Sequence, residues 1–257
     1  MIHRDFHMHT VYCDGANTAE EMVLAAIEKG MTHIGICTHS YIDFAENYCI
    51  KKEDVAKFQK EIETLKEKYK DKIVLYCGVE QDYLSPESTE GFDYALGSVH
   101  HVKMADGYIV DVDHTAQIVL DAVKTYYNGD ALGFAEDYFA QVGDVLRATN
   151  ADIIGHFDLL TKFNDKVQIF DEMHPRYIAV WQAAIDKLLP YGKPFEINTG
   201  AISRGYRTTP YPSRAQLAYI YKNGGKILLC SDAHTTDSLG CCYEEAAALA
   251  REIGFEI

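Results

Sequence analysis

The chain has 257 residues, 47% of them hydrophobic, which is enough to bury one large α/β core or two small ones and excludes an intrinsically disordered chain. Its 24 basic and 39 acidic residues leave a formal charge of −15, a field that repels polyanions and disfavours a stable nucleic-acid complex. Seven cysteines without a CxxC pair do not make a disulfide framework. No basic-then-apolar leader opens the chain, and no apolar run approaches the roughly 20 residues that cross a bilayer, so a soluble cytoplasmic protein with no membrane partner is expected.

In chain order, the short apolar and β-branched runs predict strands at His3–His7, His33–Cys37, Ile73–Val79, Tyr94–Val99, Asp152–Gly155, Pro194–Ile197 and Lys226–Cys230. Apolar residues at helical spacing predict helices over Thr18–Lys29, Lys51–Tyr69, Ala116–Tyr127, Ala135–Thr149, Pro175–Leu189, Ser213–Asn223 and Tyr243–Glu252. Thr18 with Glu21 reads as a capping box, Pro175 suits a first helical position, and Gly30 and Gly224 suit left-handed C-terminal positions. About seven βα units with no Pro- or Ser-rich linker predict one domain over residues 1–257, either closed as a barrel or opened as a doubly wound sheet. The least regular stretches, Asp82–Tyr94 and Val102–Thr115, are expected to be active-site loops.

Eleven histidines against a single tryptophan direct attention to where they fall. His7 and His9, His39, Glu80, His100, His156, and Asp232 with His234 all stand at the carboxyl ends of predicted strands, the face on which βα barrels build their sites. In His7-Met8-His9 and Asp232-Ala233-His234 the i,i+2 spacing sends both side chains to one side of an extended segment, so each pair can chelate. Imidazoles and carboxylates without a thiolate suit Zn²⁺, Mn²⁺ or Fe²⁺. Eight candidates exceed one tetrahedral shell and predict two or three divalent ions about 3.5–4 Å apart. Of the other histidines, His3 and His33 open strands at the opposite face, His114 and His174 fall in loops, and His101 points away from His100 as a supporting residue. Cys13, Cys37, Cys49, Cys77 and Cys230 read as small buried residues.

Asp5-Phe6-His7-Met8-His9-Thr10, Thr38-His39-Ser40, Gly78-Val79-Glu80, Gly97-Ser98-Val99-His100, Gly155-His156-Phe157-Asp158 and Ser231-Asp232-Ala233-His234, in this order, resemble the PHP (polymerase and histidinol phosphatase) superfamily. Glu196-Ile197-Asn198-Thr199 and Tyr211-Pro212-Ser213 are similar to its branch of stand-alone histidinol-phosphate phosphatases. The resemblance implies a distorted (βα)₇ TIM-like barrel with a trinuclear metal cluster at the C-terminal ends of the strands. The implied reaction is hydrolysis of a small phosphate monoester, L-histidinol phosphate, to L-histidinol and inorganic phosphate.

By motif position, His7, His9, Glu80 and Asp232 would hold one ion; Glu80, His100 and His156 a second; and His39 with His234 a third. Asp14 would join the third in Cys13-Asp14-Gly15, a loop where family members often carry histidine. Glu80, Asp232 and His234 are the implied catalytic residues, Asp232 or His234 as proton donor. Arg204 would neutralise the phosphate oxygens, followed by Arg207, Lys162 and His101. Asp43, Glu46, Asp106 or Asp111 would receive the substrate ammonium, and Tyr41, Tyr48, Tyr83, Tyr108, Tyr206 and Tyr211 either pack its imidazole or simply line the barrel rim. Two other readings remain: a phosphoesterase acting on nucleotides or, as a 3′-5′ exonuclease, on short oligonucleotides, and a non-catalytic metal store.

Overall fold

The computed structural model describes residues 3–257. Its strands are β1 (Arg4–Asp5), β2 (His33–Ile36), β3 (Val74–Asp82), β4 (Tyr94–Ser98), β5 (His101–Lys103), β6 (Ile109–Asp111), β7 (Ile153–Ile154), β8 (Pro194–Asn198) and β9 (Lys226–Cys230). The helices are α1 (Ala19–Glu28), α2 (Val55–Tyr69), α3 (Ala116–Tyr127), α4 (Ala131–Val142), α5 (Val145–Thr149), α6 (Pro175–Leu188), α7 (Gly200–Ser203), α8 (Arg214–Lys222) and α9 (Tyr243–Ile253). Seven of the strands form one parallel sheet in the order β1-β2-β3-β4-β7-β8-β9.

The sheet curls into a nearly closed barrel, and the seam is made by the two HxH and DxH segments rather than by a full ladder. Met8 bridges Ala233 in parallel, the His9 amide donates to the Ala233 carbonyl at 2.8 Å, and the Ala233 amide donates to the His7 carbonyl at 3.2 Å. The backbone bonds that close the barrel therefore also set the two chelating pairs side by side. Local signals start the helices as expected. Thr18 and Glu21 form the capping box of α1, Pro175 opens α6, and a second box pairs Ser213 with Gln216 at α8.

The helices pack outside the sheet over two large apolar clusters, one including Phe134, Tyr138, Trp181 and Ile185, the other Met22, Phe58 and Ile62. A third, smaller cluster fills the barrel itself: Cys37, Leu96 and Ile153, with Phe6, Tyr94 and Leu228 against them. Tyr94 is the plug. Its phenol crosses β3 and β2 and donates to the Phe6 carbonyl at 2.7 Å, in a path left open because Gly78 and Gly35 have no side chain.

Three expectations need correction. The helix expected over 135–149 is two helices, α4 and α5, divided at Gly143, whose backbone packs against the Cα of Ala184. The insertion 102–115 is not irregular: β5 and β6 pair antiparallel as a two-stranded ribbon that turns at Asp106-Gly107, a hairpin dipeptide in the sequence. Strand β3 runs on to Asp82, so Glu80 lies inside it rather than after it, and Asp82 shares its face.

Candidate metal centre and active site

Glu80 stands at the centre of the barrel mouth. Its Oε2 faces His39 Nδ1 at 2.9 Å, His7 Nε2 at 3.2 Å and His9 Nε2 at 3.4 Å; its Oε1 faces His156 Nε2 at 2.8 Å and His100 Nε2 at 3.3 Å. Asp232 Oδ1 closes on the same point from the segment after β9, 3.6 Å from His7 Nε2 and 3.5 Å from His9 Nε2. At the outer edge Asp14 takes one oxygen to His39 Nε2 at 3.4 Å and the other to His234 Nε2 at 3.2 Å. Gly15 permits this: a Cβ there would meet the His9 and Thr10 backbone at 2.5 Å, so only glycine lets the loop fold back onto the HxH segment.

Four of these atoms, His7 Nε2, His9 Nε2, His39 Nδ1 and Glu80 Oε2, are buried yet have no hydrogen-bond partner of good geometry. Buried polar atoms are almost always paired, so four orphans aimed at one point fit divalent cations. Two ligand-like groupings recur there, His9 with Asp14, His39 and His234, and His39 with Glu80 and His100. A third brings Cys37 beside His7 and His9, but its thiol donates to the Met8 carbonyl at 3.4 Å.

The charge distribution agrees. Burial raises the Glu80 carboxyl, yet the fields of His7, His39 and His100 outweigh it and hold Glu80 well below the usual range. Asp232 is likewise low against its burial, through Arg204 and His7. Burial opposes the charge on His7, but Glu196 and Glu80 overcome it and raise the imidazole well above its ordinary value. His100 rises to about 10 against its burial, through Glu80 and Asp82. Among the imidazoles with a shifted value His9 is the one lowered, by burial and by its neighbour His39.

Carboxylates behind the imidazoles, not singled out in the sequence, fix their rings. Glu196 Oε1 sits 2.6 Å from His7 Nδ1, while its Oε2 accepts the His156 amide at 2.7 Å. Asp82 Oδ2 lies 3.0 Å from His100 Nδ1 and accepts the His100 amide at 3.1 Å. Asp5 accepts the amides of His7 and Ser231, and burial pushes its carboxyl up to about 6. For Asp82 the signal is its alternation with Glu80 along β3; for Glu196 it is a lone acid in an apolar strand. Such partners typically contribute 10–100-fold to metal affinity. Glu196→Gln is therefore expected to weaken zinc retention by about that factor in a chelator competition, with the circular dichroism spectrum unchanged.

A cavity of about 410 Å³ opens above the cluster, lined in part by Asp14, Tyr48, Asp111, Lys162, Arg204 and Tyr206. Arg204 holds Asp232, Nη2 to Oδ2 at 2.9 Å and Nη1 to the carbonyl at 3.0 Å, with an exposed edge toward the cavity. Lys162 also lines it, but its ammonium is taken by the Asp113 carboxylate at 2.6 Å and lies 4.5 Å over the Tyr206 ring.

Other expected residues fall elsewhere. Arg207 is buried beneath the loop, donating to Thr161, and does not line the cavity. His101 lies buried between Tyr48 and Phe44, 3.7 Å from Asp82, behind His100 rather than in the cavity. Of the four acids expected at the mouth only Asp111 lines it; Glu46 accepts the Tyr41 hydroxyl, Asp106 caps its own turn, and Asp43 stands apart. Among the tyrosines, only Tyr48 and Tyr206 reach the cavity. His114, read as a loop residue, is brought to the wall by the β5–β6 ribbon, where Asp111 Oδ1 accepts its amide at 3.0 Å. His3, His33 and His174 stay away from the site.

The PHP domain family matches residues 5–200. The chain belongs to that family. A Schizosaccharomyces pombe protein assigned as a histidinol-phosphatase is 28% identical, over 91% of this chain and 81% of that protein. The histidinol-phosphatase of Bacillus subtilis is 23% identical, over 94% of this chain and 97% of its own. Two solved structures share the fold: a Listeria monocytogenes protein assigned as a histidinol phosphatase, with a TM-score of 0.82, 19% identity and coverage of 94% and 99%, and the histidinol phosphate phosphatase of Lactococcus lactis in complex with zinc, L-histidinol and phosphate, with a TM-score of 0.75, 21% identity and coverage of 98% and 94%. Among the described residues no helix is long and apolar enough to cross a membrane.

Proposed function

We propose that this PHP-family chain is a metal-dependent phosphomonoesterase that hydrolyses L-histidinol phosphate to L-histidinol and inorganic phosphate. The observation that carries the reading is the convergence of five imidazoles on the two oxygens of Glu80, with four buried atoms unpartnered, at the floor of a cavity that presents Arg204. The names of its relatives support the substrate.

His7, His9, Glu80 and Asp232 would hold one ion, Glu80, His100 and His156 a second, and His39, His234 and Asp14 a third; zinc, manganese and iron all suit this donor set. Bound divalent cations supply positive charge at the phosphoryl oxygens and lower the pKa of water from about 15.7 toward neutrality. The chain's own groups do the rest. Glu80 keeps its charge deep in the barrel and spans the two ligand sets. Arg204, already oriented by Asp232, offers its free N–H groups to the equatorial oxygens of the phosphoryl group. Tyr48 and Tyr206 wall the cavity with apolar rings, and Asp111 places a carboxylate where a substrate ammonium can reach it. His234, on the cavity side, is the group placed to return a proton to the leaving alkoxide, whereas Asp232, held low against its burial by Arg204 and His7, stays ionised.

Two outcomes are expected on this reading. Arg204→Ala lowers kcat/KM by about 10²-fold, with Arg204→Lys recovering only part, because an ammonium does not reproduce the planar fork. Asp111→Asn keeps the oxygen that caps the turn at 113–114 but removes the charge, so KM for an amine-bearing substrate rises about tenfold with kcat little changed.

The deciding experiment is phosphate release from L-histidinol phosphate by metal-loaded protein, beside sugar phosphates, AMP and a short oligonucleotide. A kcat/KM about 100-fold above the others, equivalent to about 2.7 kcal/mol of discrimination and lost on chelation, supports the assignment. Activity spread over the panel, or favouring AMP or the oligonucleotide, overturns it.

A further inference from the structure

Cys241 and Cys242 lie at the turn into α9, outside the metal centre, and no other cysteine pair in the chain is adjacent in sequence. Neighbouring side chains normally diverge, on a strand to opposite faces and on a helix by about a quarter turn. Here they meet. Cys242 adopts the left-handed region at φ 60°, two residues after Gly240 at φ 67°, and across this turn the two thiols come into contact. The two Sγ atoms are 3.2 Å apart and share a hydrogen bond. Cys242 stands at the N-terminal cap of α9 without making a side-chain capping bond, so its thiol has no structural duty there. Both thiols are half-buried and reachable from solvent, as is Cys13, expected to be buried, whereas Cys37, Cys49, Cys77 and Cys230 are buried.

We propose that Cys241 and Cys242 form a two-thiol exchange site that reacts with low-molecular-weight disulfides, glutathione disulfide being the probe, and closes to a vicinal ring disulfide. One cysteine thiolate attacks a glutathione sulfur, forming a mixed disulfide and expelling glutathione thiolate. The adjacent thiolate then attacks the protein sulfur of that mixed disulfide and expels the second. Two protein thiols and one glutathione disulfide thus give one ring disulfide and two glutathione thiols. Bond formation closes the sulfurs from 3.2 Å to about 2.05 Å, a movement of side-chain torsions within one turn. The eight-membered ring puts the bond in the strained, labile class, which thiols of a reducing compartment reopen.

The test uses the metal-loaded full chain treated with glutathione disulfide, acid-quenched, alkylated and digested for mass spectrometry. The fragment spanning residues 241–242 is expected two hydrogen masses lighter, without glutathione or alkyl groups, and to regain two alkylatable thiols after dithiothreitol. Cys242→Ser is expected to arrest the exchange, leaving Cys241 with one glutathionyl group. A stable mixed disulfide in the natural chain, a covalent dimer, two alkylatable thiols under conditions that modify Cys242→Ser, or no modification of either protein overturns the proposal. The readout is chemical and independent of phosphate release.

Discussion

Glu80→Gln is expected to lower kcat/KM by about 10³-fold or more and to leave the purified protein with substoichiometric metal. The substitution keeps the shape of the side chain and removes its charge. Both Glu80 oxygens face imidazole nitrogens, three on Oε2 and two on Oε1, so an amide would turn an N–H₂ group toward one of these sets. It would also take from His39 and His100 the carboxylate that most strongly favours their charge, and from His7 the one that ranks after Glu196, in a fully buried place. Removing one partner of a buried charged network costs more than the pair contributes, because the remaining charges stay desolvated. Elemental analysis of the purified variant, with phosphate release measured in parallel, checks the expectation. Full metal content together with full activity would show that Glu80 is a structural acid and that the cluster is organised around Asp232.

The second large effect lies below the site, in the barrel floor. Gly78→Ala, and equally Gly35→Ala, should destabilise the fold by about 2–3 kcal/mol, since overpacking an interior costs 1–3 kcal/mol and here the obstacle is an aromatic ring. A Cβ at either position would land on the phenol of Tyr94. That ring cannot simply withdraw, because its hydroxyl is bonded to the Phe6 carbonyl one residue before His7. For a chain of this size the loss corresponds to about 4–12 °C in Tm. Thermal denaturation of Gly78→Ala alone and in a Tyr94→Leu background separates the causes, because shortening residue 94 removes the clash and the two changes should be strongly non-additive. Equal losses in both backgrounds would place the cost in the strand backbone instead. If Tyr94 gives way by moving Phe6, metal retention should fall along with Tm.

These expectations rest on residues that differ in how well the sequence discloses them. The βα rhythm, the capping box at Thr18 and the ligand types at strand ends were legible because each is local: periodicity, a three-residue spacing, or a polar residue ending an apolar run. The i,i+2 pairs at residues 7–9 and 232–234 were legible for the same reason. Other features depended on distance in the fold. Arg207 and Arg204 lie three residues apart in one loop, yet one is buried against Thr161 and the other edges the cavity. Nothing in their local sequence separates them, because each is placed by a partner distant in the chain, Asp232 for Arg204 and Thr161 for Arg207.

The sequence by itself determined the α/β character, the order of the units, the acidic surface and the inventory of metal-competent side chains, because all of these follow from composition and near-neighbour spacing. Only the tertiary structure decided which of them meet. It closed the barrel through Met8 and Ala233, turned Asp14 inward by the contact that Gly15 allows, and set Glu196 and Asp82 behind imidazoles that are 189 and 18 residues away. It also lifted His114 and Asp111 into the cavity on a ribbon and drew His101 and Arg207 out of it. Side-chain convergence is fixed by strand register and barrel curvature, and both are set by long-range packing that no short window of sequence contains.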